Sequence, residues 1–396
     1  MKTNRTAIRQ KTDEYKEELL DFLKQLVQTP SINGKDSEEK ISSLVAEEAG
    51  RLGLPYRSIA LDQERPNVFV GEDFGGKSGL LFVAHLDTVP GGDESKWKHK
   101  PFGAEIEDRK LFGRGAIDCK AGIALSIYAL RILKDLGRLG LAKFAGVVDE
   151  ESGADSKLGA RYLLDNGLNA KASIYTYSGV ETVTIGHRGG VRLWIEVAGE
   201  AVHTGSLRWQ KKEKGANAIE ALSQFIGLLK DVKMEGKNPS FPGFGFVATP
   251  TLIEGGNGES IVPDKGKVLI DARLLPNQDN NEYIEKVRQL AKRLETNKIK
   301  FSVSIKNNIQ GVVISPKEKI VRILDGLDKE VMGIKPEIRG CGPWNEGYMF
   351  IAKGIPTICG FGAVGDGAHS TDEYVEIGSL PQILEIYVRA ALELAS

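Results

Sequence analysis

Six residues of types that can bind metal ions each follow an apolar strand or a glycine-rich turn. They are His85, Asp87, Asp118, Glu150, Glu151 and His369. His85 and Asp87 lie two residues apart, so an extended chain directs both side chains to the same face. A carboxylate in that place takes the second ring N–H of a ligating histidine and fixes its tautomer. For this stretch alone, an ordinary loop histidine with a capping aspartate is the alternative.

The adjacent glutamates Glu150 and Glu151 directly follow the apolar run 144–148. Two neighbouring carboxylates are costly unless a cation gives them different roles. One would then ligate the metal, and the other would act as a base toward a water molecule. Two neutral imidazoles and several carboxylates suit zinc, with cobalt or manganese as substitutes. A solvated turn is the alternative for such a pair, and the buried strand before it favours the metal site.

Alternating strands and helices must position these residues, because their spacing is too wide for a single-helix motif. Apolar runs predict strands over 67–71, 80–84, 144–148 and 172–177. Helical spacing of apolar residues predicts helices over 13–27, 38–52 and 157–164, and one from the glycine-rich turn 112–122 to about 136. This order indicates an α/β sheet with helices on both faces, in which ligands collect at the carboxyl ends of the strands.

The second half of the chain changes its pattern to β-α-β-β-α-β. The strands are predicted over 191–197, 246–253, 267–274 and 299–305, and the helices over 216–232 and 282–295. This order is typical of a ferredoxin-like α+β domain. A helix over 317–332, a strand over 356–359 and a last helix over 380–394 return to the first domain. We therefore predict a catalytic domain formed by 1–189 and 307–396, with a second domain inserted over 190–306.

Composition narrows the classes of protein and partner. A chain of 396 residues favours two domains, and 41% hydrophobic with 27% charged residues is ordinary for a globular protein. The formal net charge of −1 gives no general attraction to nucleic acid or to an anionic membrane. Because of this charge balance, we expect no nucleic-acid or membrane partner. Three widely spaced cysteines indicate no disulfide framework. The charged N-terminus has no signal-peptide core, so we expect a cytoplasmic protein.

A family resemblance extends over almost the whole chain. The motifs that carry it are, in order, HLDTVP, GRGAIDCKAG, DEESG, GHRGG, AVHTGS, DARLLP and GDGAHSTDEYV. The chain resembles the co-catalytic zinc metallopeptidase family of glutamate carboxypeptidase, succinyl-diaminopimelate desuccinylase, acetylornithine deacetylase and aminoacylase. The resemblance implies a zinc-peptidase-like α/β domain with an inserted lid domain through which two subunits form a homodimer.

The resemblance also implies two zinc ions per subunit, and it assigns ligands to both. His85 would ligate the first zinc, oriented by Asp87, and Asp118 would bridge both ions. Glu151 and His369 would hold the second zinc.

Four further residues receive roles near the substrate. Glu150 would be the general base and acid. His203 resembles the lid histidine that reaches the partner's active site and steadies the oxyanion, and Arg273 resembles the arginine that binds the free carboxylate of the substrate. A surface charge at a strand end is the alternative for Arg273. Trp344 lies in a pocket loop where the family has small or polar residues, so we expect it to contact substrate and narrow the cleft.

One expected ligand is absent from the sequence. The family has Glu or Asp ten residues before the histidine of the GHRGG segment, and this chain has Tyr177. A phenol has a single oxygen and a pKa near about 10, so it is a poorer ligand than a carboxylate. Glu181 is a distant substitute. The first metal site is therefore expected to be weak, rearranged or empty.

Two functions follow from these residues. The first is a dimeric zinc hydrolase that cleaves the amide bond of an N-acyl amino acid or the C-terminal residue of a short peptide, with a free carboxylate on the substrate. The alternative is a catalytically impaired or inactive family member that binds a metal ion or a ligand.

Overall fold

The computed structural model describes residues 5–396, and the chain divides into two compact units. The first contains the chain up to Gly186 together with Ile314–Gly340 and Asn345–Ser396, and the second contains His187–Val313 and Cys341–Trp344. The predicted insertion, 190–306, ends a few residues inside the second unit at both boundaries. Residues 341–344, assigned from sequence to the catalytic domain, lie in the second unit.

Ten α-helices and seventeen strands occur within residues 5–396. The helices are α1 (Arg5–Gln28), α2 (Glu39–Arg51), α3 (Ala121–Asp135), α4 (Ala160–Asp165), α5 (Leu207–Gln210), α6 (Ala218–Leu229), α7 (Asn280–Arg293), α8 (Lys319–Val331), α9 (Gly347–Ala352) and α10 (Leu380–Ala395). The strands are β1 (Tyr56–Ile59), β2 (Asn67–Val70), β3 (Leu80–His85), β4 (Glu105–Glu107), β5 (Lys110–Phe112), β6 (Ala142–Val147), β7 (Ala172–Tyr175), β8 (Thr182–His187), β9 (Gly189–Ala198), β10 (Val247–Gly255), β11 (Lys265–Leu274), β12 (Lys300–Ile309), β13 (Val312–Val313), β14 (Glu337–Cys341), β15 (Thr357–Ile358), β16 (Gly365–Asp366) and β17 (Tyr374–Glu376).

The main sheet of the first unit has the strand order β1-β2-β6-β3-β7-β15. The central strand β3 is parallel to β6 and β7, and His85 lies opposite Val147 in register. Leu81 and Val83 pack in a cluster with residues of α4 and α9, whereas Phe82 stacks on Tyr387 of α10 at 4.7 Å between ring centroids. Successive side chains of a strand point to opposite faces. Helices therefore cover both faces of the sheet, as predicted.

A smaller antiparallel sheet in the same unit has the order β16-β17-β5-β4. Tyr374 of β17 pairs with Phe112 of β5. This pairing places the end of the GDGAHSTDEYV segment beside the glycine-rich turn. The strands have only two or three residues, too few for a periodic pattern, and the sequence did not predict them.

The second unit contains a four-stranded antiparallel sheet in the order β10-β11-β9-β12. With α6 and α7 this is the predicted ferredoxin-like arrangement. Alternate residues of β9, such as Leu193 and Ile195, are buried in one core with Phe225 of α6 and Val287 of α7. The period of two that places them on one face is the same pattern that identified this strand in the sequence.

Across residues 5–396, no helix combines the length and the apolar character needed to cross a lipid bilayer.

One buried acid of the first unit has no compensating partner. Asp328 of α8 is fully buried, and neither carboxylate oxygen has a hydrogen-bond partner among residues 5–396. Burial, and then the charge of Asp325, raises the pKa of Asp328 from 3.8 to about 7. The folded state thus keeps a proton that the unfolded chain releases near pH 4.

We predict that Asp328→Asn changes the pH dependence of stability. A raised acid pKa means that wild type loses folding free energy as pH rises from about 4 to 7, and the variant lacks this loss. Between pH 5 and pH 8 the variant should gain at least about 1 kcal/mol relative to wild type, measured by urea unfolding. Asp21→Asn, at a side chain that is 67% exposed, is the matched control. Parallel pH profiles for wild type and Asp328→Asn would contradict the prediction.

Candidate active site

His85 occupies the carboxyl end of the central strand, with both ring nitrogens engaged. Nδ1 lies 2.8 Å from the main-chain oxygen of Asp87, and Nε2 lies 2.9 Å from Oδ1 of Asp118. The nearer carboxylate oxygen of Asp87 is 3.8 Å from Nδ1. The prediction that the Asp87 carboxylate takes the ring N–H is therefore wrong: the main-chain carbonyl of Asp87 accepts it. Either acceptor leaves Nε2 facing Asp118.

Asp87 instead holds the turn that carries the two glutamates. Its carboxylate is buried and accepts the main-chain N–H groups of Glu150, at 3.2 Å, and Glu151, at 2.9 Å. The side-chain amide of Asn33 donates to the same carboxylate at 2.7 Å and to Asp149 at 2.9 Å. Because β3 and β6 are parallel and end in register, the residues after both strands meet here. Asp87 is a positioning residue for the glutamate pair.

Glu373 holds the glycine-rich turn through hydrogen bonds to its main chain. Its buried carboxylate accepts the main-chain N–H groups of Gly115, Ile117 and Asp118, each at 3.0 Å. The guanidinium of Arg114 donates to it at 2.6 Å. These bonds compensate for burying the charge. They also fix the backbone from which the Asp118 side chain projects.

Asp118 lies between the two imidazoles from opposite ends of the chain. Its Oδ1 contacts His85, and its Oδ2 lies 3.3 Å from Nε2 of His369. The same nitrogen lies 3.1 Å from Oε1 of Glu151. Burial opposes ionisation of Asp118, but the hydrogen bonds from His369 and His85 outweigh it and lower the pKa of that carboxyl. Asp118 is therefore an anion with a nitrogen donor at each oxygen.

Three groups of side chains within residues 5–396 could hold a divalent cation, and the group that joins the most distant parts of the chain is Asp118, Glu151 and His369. One ligand atom each from Asp118, Glu151 and His369 lie within 4.8 Å of one another. Two carboxylates and one imidazole form a donor set that zinc accepts, with room for water or substrate as a fourth ligand. Hydrogen bonds to Asp118 and then Glu151 raise the pKa of His369 to about 10.

Glu150 lies beside this position without joining its donor set. Burial raises the pKa of Glu150 well above its ordinary value, although the charge of His85 opposes the shift. The charges of Glu151 and Glu346 add to the increase. A carboxylate whose pKa is raised is a stronger base than an ordinary one, and it can return the proton that it accepts.

Tyr177 stands where the resemblance places a third ligand for the first metal. Its ring stacks on Tyr175 at 4.7 Å between centroids and lies 5.5 Å from the ring centroid of His85. The residue is half-buried, and its hydroxyl makes no hydrogen bond to another of residues 5–396. Glu181, the predicted substitute, is exposed and belongs to none of the ligand groups formed by the described residues.

Three predicted site residues, His203, Arg273 and Trp344, lie in the second unit. His203 is exposed, and its Nδ1 accepts the main-chain N–H of Gly205 at 3.0 Å. Arg273 donates from Nε and Nη2 to Asp271, at 2.6 and 3.1 Å. The guanidinium of Arg273 also lies 3.9 Å over the ring of Trp344. The second unit thus brings Arg273 and Trp344 together.

Sequence reasoning missed several residues that support the site. Asn33 and Glu373 act through hydrogen bonds to loops distant in sequence, as does the Arg114 partner of Glu373. Glu346, which is buried and accepts the Tyr175 hydroxyl at 3.0 Å, was also missed. No periodic pattern in the sequence marks Glu373, because the strand that follows it has only three residues.

Comparison with known proteins identifies the family. Residues 81–393 match the model of peptidase family M20/M25/M40. The chain belongs to this family. A succinyl-diaminopimelate desuccinylase of Methylorubrum extorquens is 26% identical over 381 residues, which cover 92% of this chain and 95% of the relative. The M20 chain is therefore a hydrolase of the peptidase and deacylase type, with candidate metal-binding residues in its first unit.

Solved structures share the M20 fold. An M20 family metallo-carboxypeptidase of Sulfolobus solfataricus superposes with a TM-score of 0.76 at 20% identity and covers 96% of this chain and 99% of its own. A dinuclear metal-binding M20 peptidase of Bacillus subtilis gives a TM-score of 0.68 at 14% identity, covering 96% and 98%.

We predict that Gly190→Ala displaces Trp344 in the second unit. A Cβ added at Gly190 would lie 1.8 Å from a ring carbon of Trp344, so the ring must move. The variant should lose about 1–3 kcal/mol of stability, measured by denaturant unfolding. The loss should be smaller in a Trp344→Ala background. Gly227→Ala on α6, where an added Cβ meets no atom within 4 Å, is the control and should not be destabilised. Equal losses with and without the tryptophan would contradict the prediction.

Proposed function

We propose that the protein is a zinc-dependent hydrolase that cleaves the amide bond of an N-acyl amino acid or the C-terminal residue of a short peptide. The observation that carries the proposal is the position of the Asp118 carboxylate. Its two oxygens contact the imidazoles of His85 and His369, and the imidazole of His369 also contacts Glu151. Such convergence of distant residues is typical of a metal centre.

Asp118, Glu151 and His369 would hold the zinc ion. A zinc ion bound there would polarise the scissile carbonyl and lower the pKa of water. Cobalt or manganese would substitute with the same donors.

Glu150 is the proposed general base and acid. Two features support this role: its burial beside the candidate ligands and the hydrogen bond that fixes its backbone to Asp87. Glu150 takes a proton from the attacking water and delivers it to the leaving amine, while a C–O bond forms and the C–N bond breaks.

Arg273 is the proposed anchor for the free carboxylate of the substrate. Its bonds to Asp271 use the Nε and Nη2 atoms, which leaves Nη1 for a second carboxylate. Trp344 supports the planar guanidinium from one face. We assign Trp344 to the same binding site, where its ring limits the size of the substrate side chain.

We further propose that the second unit mediates a homodimer. Strand β10 is an edge strand, and it exposes Val247, Leu252 and Ile253 at 45%, 53% and 63%. An uncovered edge with apolar side chains is a template for pairing with another chain. His203 would then stabilise the oxyanion in the partner's active site, as the family resemblance implies.

The second candidate function is a family member with impaired catalysis that binds a metal ion or a ligand. Tyr177 favours it, because this side chain replaces a carboxylate at the first metal position. Turnover of N-acetyl, N-succinyl and dipeptide substrates separates the two functions.

We predict that Glu150→Gln abolishes most turnover while the protein keeps its zinc. Glutamine preserves the shape of the side chain but cannot accept the proton, so kcat should fall about 10²–10⁴-fold on any substrate that wild type cleaves. Zinc per subunit, measured by mass spectrometry of the metal, should not change. Glu151→Gln is the matched control and should lose zinc. Loss of zinc from Glu150→Gln would show that the roles of the two glutamates are reversed.

We predict that Ile253→Glu produces monomers. Like charges introduced at a shared apolar edge repel, so sedimentation velocity should show the mass of one chain instead of two. Ile305→Glu, at another exposed apolar residue of the same sheet, is the control and should leave the dimer intact. A wild-type protein that sediments as a monomer at micromolar concentration would refute the proposed dimer.

A further inference from the structure

The first metal site of the family resemblance, at His85 and Asp118, lacks the second carboxylate that the resemblance gives it, because Tyr177 stands in its place. Ligand groups that include His85 combine it either with Asp118 and Cys119 or with the glutamate pair. Cys119 is buried, and its thiol is held against the backbone of His85, accepting the N–H at 3.2 Å and donating to the carbonyl at 3.6 Å. Both glutamates already have roles at the neighbouring position. Within residues 5–396, His85 and Asp118 therefore have no second carboxylate free to complete their site.

The distances at the two positions also differ. In a tetrahedral zinc site with bonds of about 2.0–2.1 Å, neighbouring ligand atoms are about 3.3 Å apart. His369 lies 3.3 and 3.1 Å from its two carboxylate neighbours, close to that separation, and the shorter contact is also a hydrogen bond. His85 and Asp118 are 2.9 Å apart, closer than two ligands of one tetrahedral zinc ion.

Tyr177 takes the place of the absent carboxylate but has different chemistry. A tyrosine hydroxyl is neutral at physiological pH and donates a hydrogen bond, whereas ligation would require the phenolate. Replacing a carboxylate by a phenol also removes one negative charge that a second cation would balance. Tyr177 thus disfavours a cation at the His85 site, and it adds a hydrogen-bond donor there.

The hydroxyl of Tyr177 is held in place and available. Its ring lies parallel to that of Tyr175, within 12°, and Tyr175 is anchored by its hydrogen bond to the buried Glu346. The Tyr177 hydroxyl itself forms no hydrogen bond to another of residues 5–396. A fixed donor without a protein partner, beside candidate ligands, suits a ligand oxygen.

We propose that this enzyme works with a single tightly bound divalent cation, held by Asp118, Glu151 and His369, and that Tyr177 donates a hydrogen bond to the carbonyl oxygen of the scissile amide. The inference rests on the proposed amide hydrolysis and adds a catalytic residue to it. Tyr177 keeps its proton throughout, since the proton of the attacking water passes through Glu150 to the amine. The phenol stabilises the negative charge that develops on the carbonyl oxygen.

Zinc content tests the single cation independently of activity. After dialysis against micromolar zinc, wild type and Tyr177→Phe should each retain one equivalent per subunit, and Tyr177→Asp should retain two. Tyr56→Phe, at an exposed tyrosine of β1, is the matched control and should retain one. Two equivalents in wild type would overturn the inference. So would a thiolate-to-cobalt charge-transfer band on addition of Co²⁺, because Cys119 would then be the missing ligand.

Kinetics tests the donor role. Tyr177→Phe keeps the ring stack and the zinc but should lower kcat about 10²–10³-fold with KM changed less than about threefold, whereas Tyr56→Phe should match wild type. Unchanged kcat in Tyr177→Phe would overturn the donor role. Failure of wild type to hydrolyse any acyl amino acid or peptide would refute the proposed function and the donor role together, while the zinc count would still decide the single cation.

Discussion

Two buried carboxylates hold the loops of the candidate site through main-chain N–H groups. Asp87 receives those of Glu150 and Glu151, and Glu373 receives those that lead into Asp118. A buried carboxylate without such donors would be strongly destabilising, so the charge and the loop conformation depend on each other. Asp87 and Glu373 thus position the acids closest to the candidate cation without being ligands themselves.

The topology of the sheet explains why these loops can be held so closely. Parallel strands β3 and β6 end in register, and β7 on the other side of β3 carries Tyr175 opposite Val83. The loops that follow β3, β6 and β7 therefore lie side by side at the carboxyl ends of these strands. The short pairing of β17 with β5 adds the segment that carries His369 and Glu373.

Much of this arrangement can be predicted from the sequence, because apolar runs mark the buried strands and polar residues mark their ends. That rule placed His85 and Glu150 at one edge, where the structure also has them. It could not identify Asn33 or Glu373, whose roles depend on loop conformations without a periodic signature. It also assigned the orientation of His85 to the wrong acceptor, since one aspartate offers both a carbonyl and a carboxylate, and only the loop conformation places the carbonyl closer to the ring.

The residue that departs from the family resemblance is built into the fold as firmly as those that follow it. Tyr177 continues from β7, and its ring extends an aromatic stack that ends on the buried acid Glu346. Its place is therefore determined by packing as well as by chemistry. A change at this position alters charge, donor type and shape together, and under our proposal it would also change how many cations the site retains.

The central claim is that the two buried carboxylates bring Asp118, Glu151 and His369 to one cation. Anomalous diffraction at the zinc absorption edge, from crystals grown with zinc, tests it most directly. We expect the strongest peak at about 2.0–2.2 Å from a donor atom of each of these three residues. A strongest peak elsewhere on the molecule, with these three side chains hydrogen-bonded only to one another, would contradict the claim.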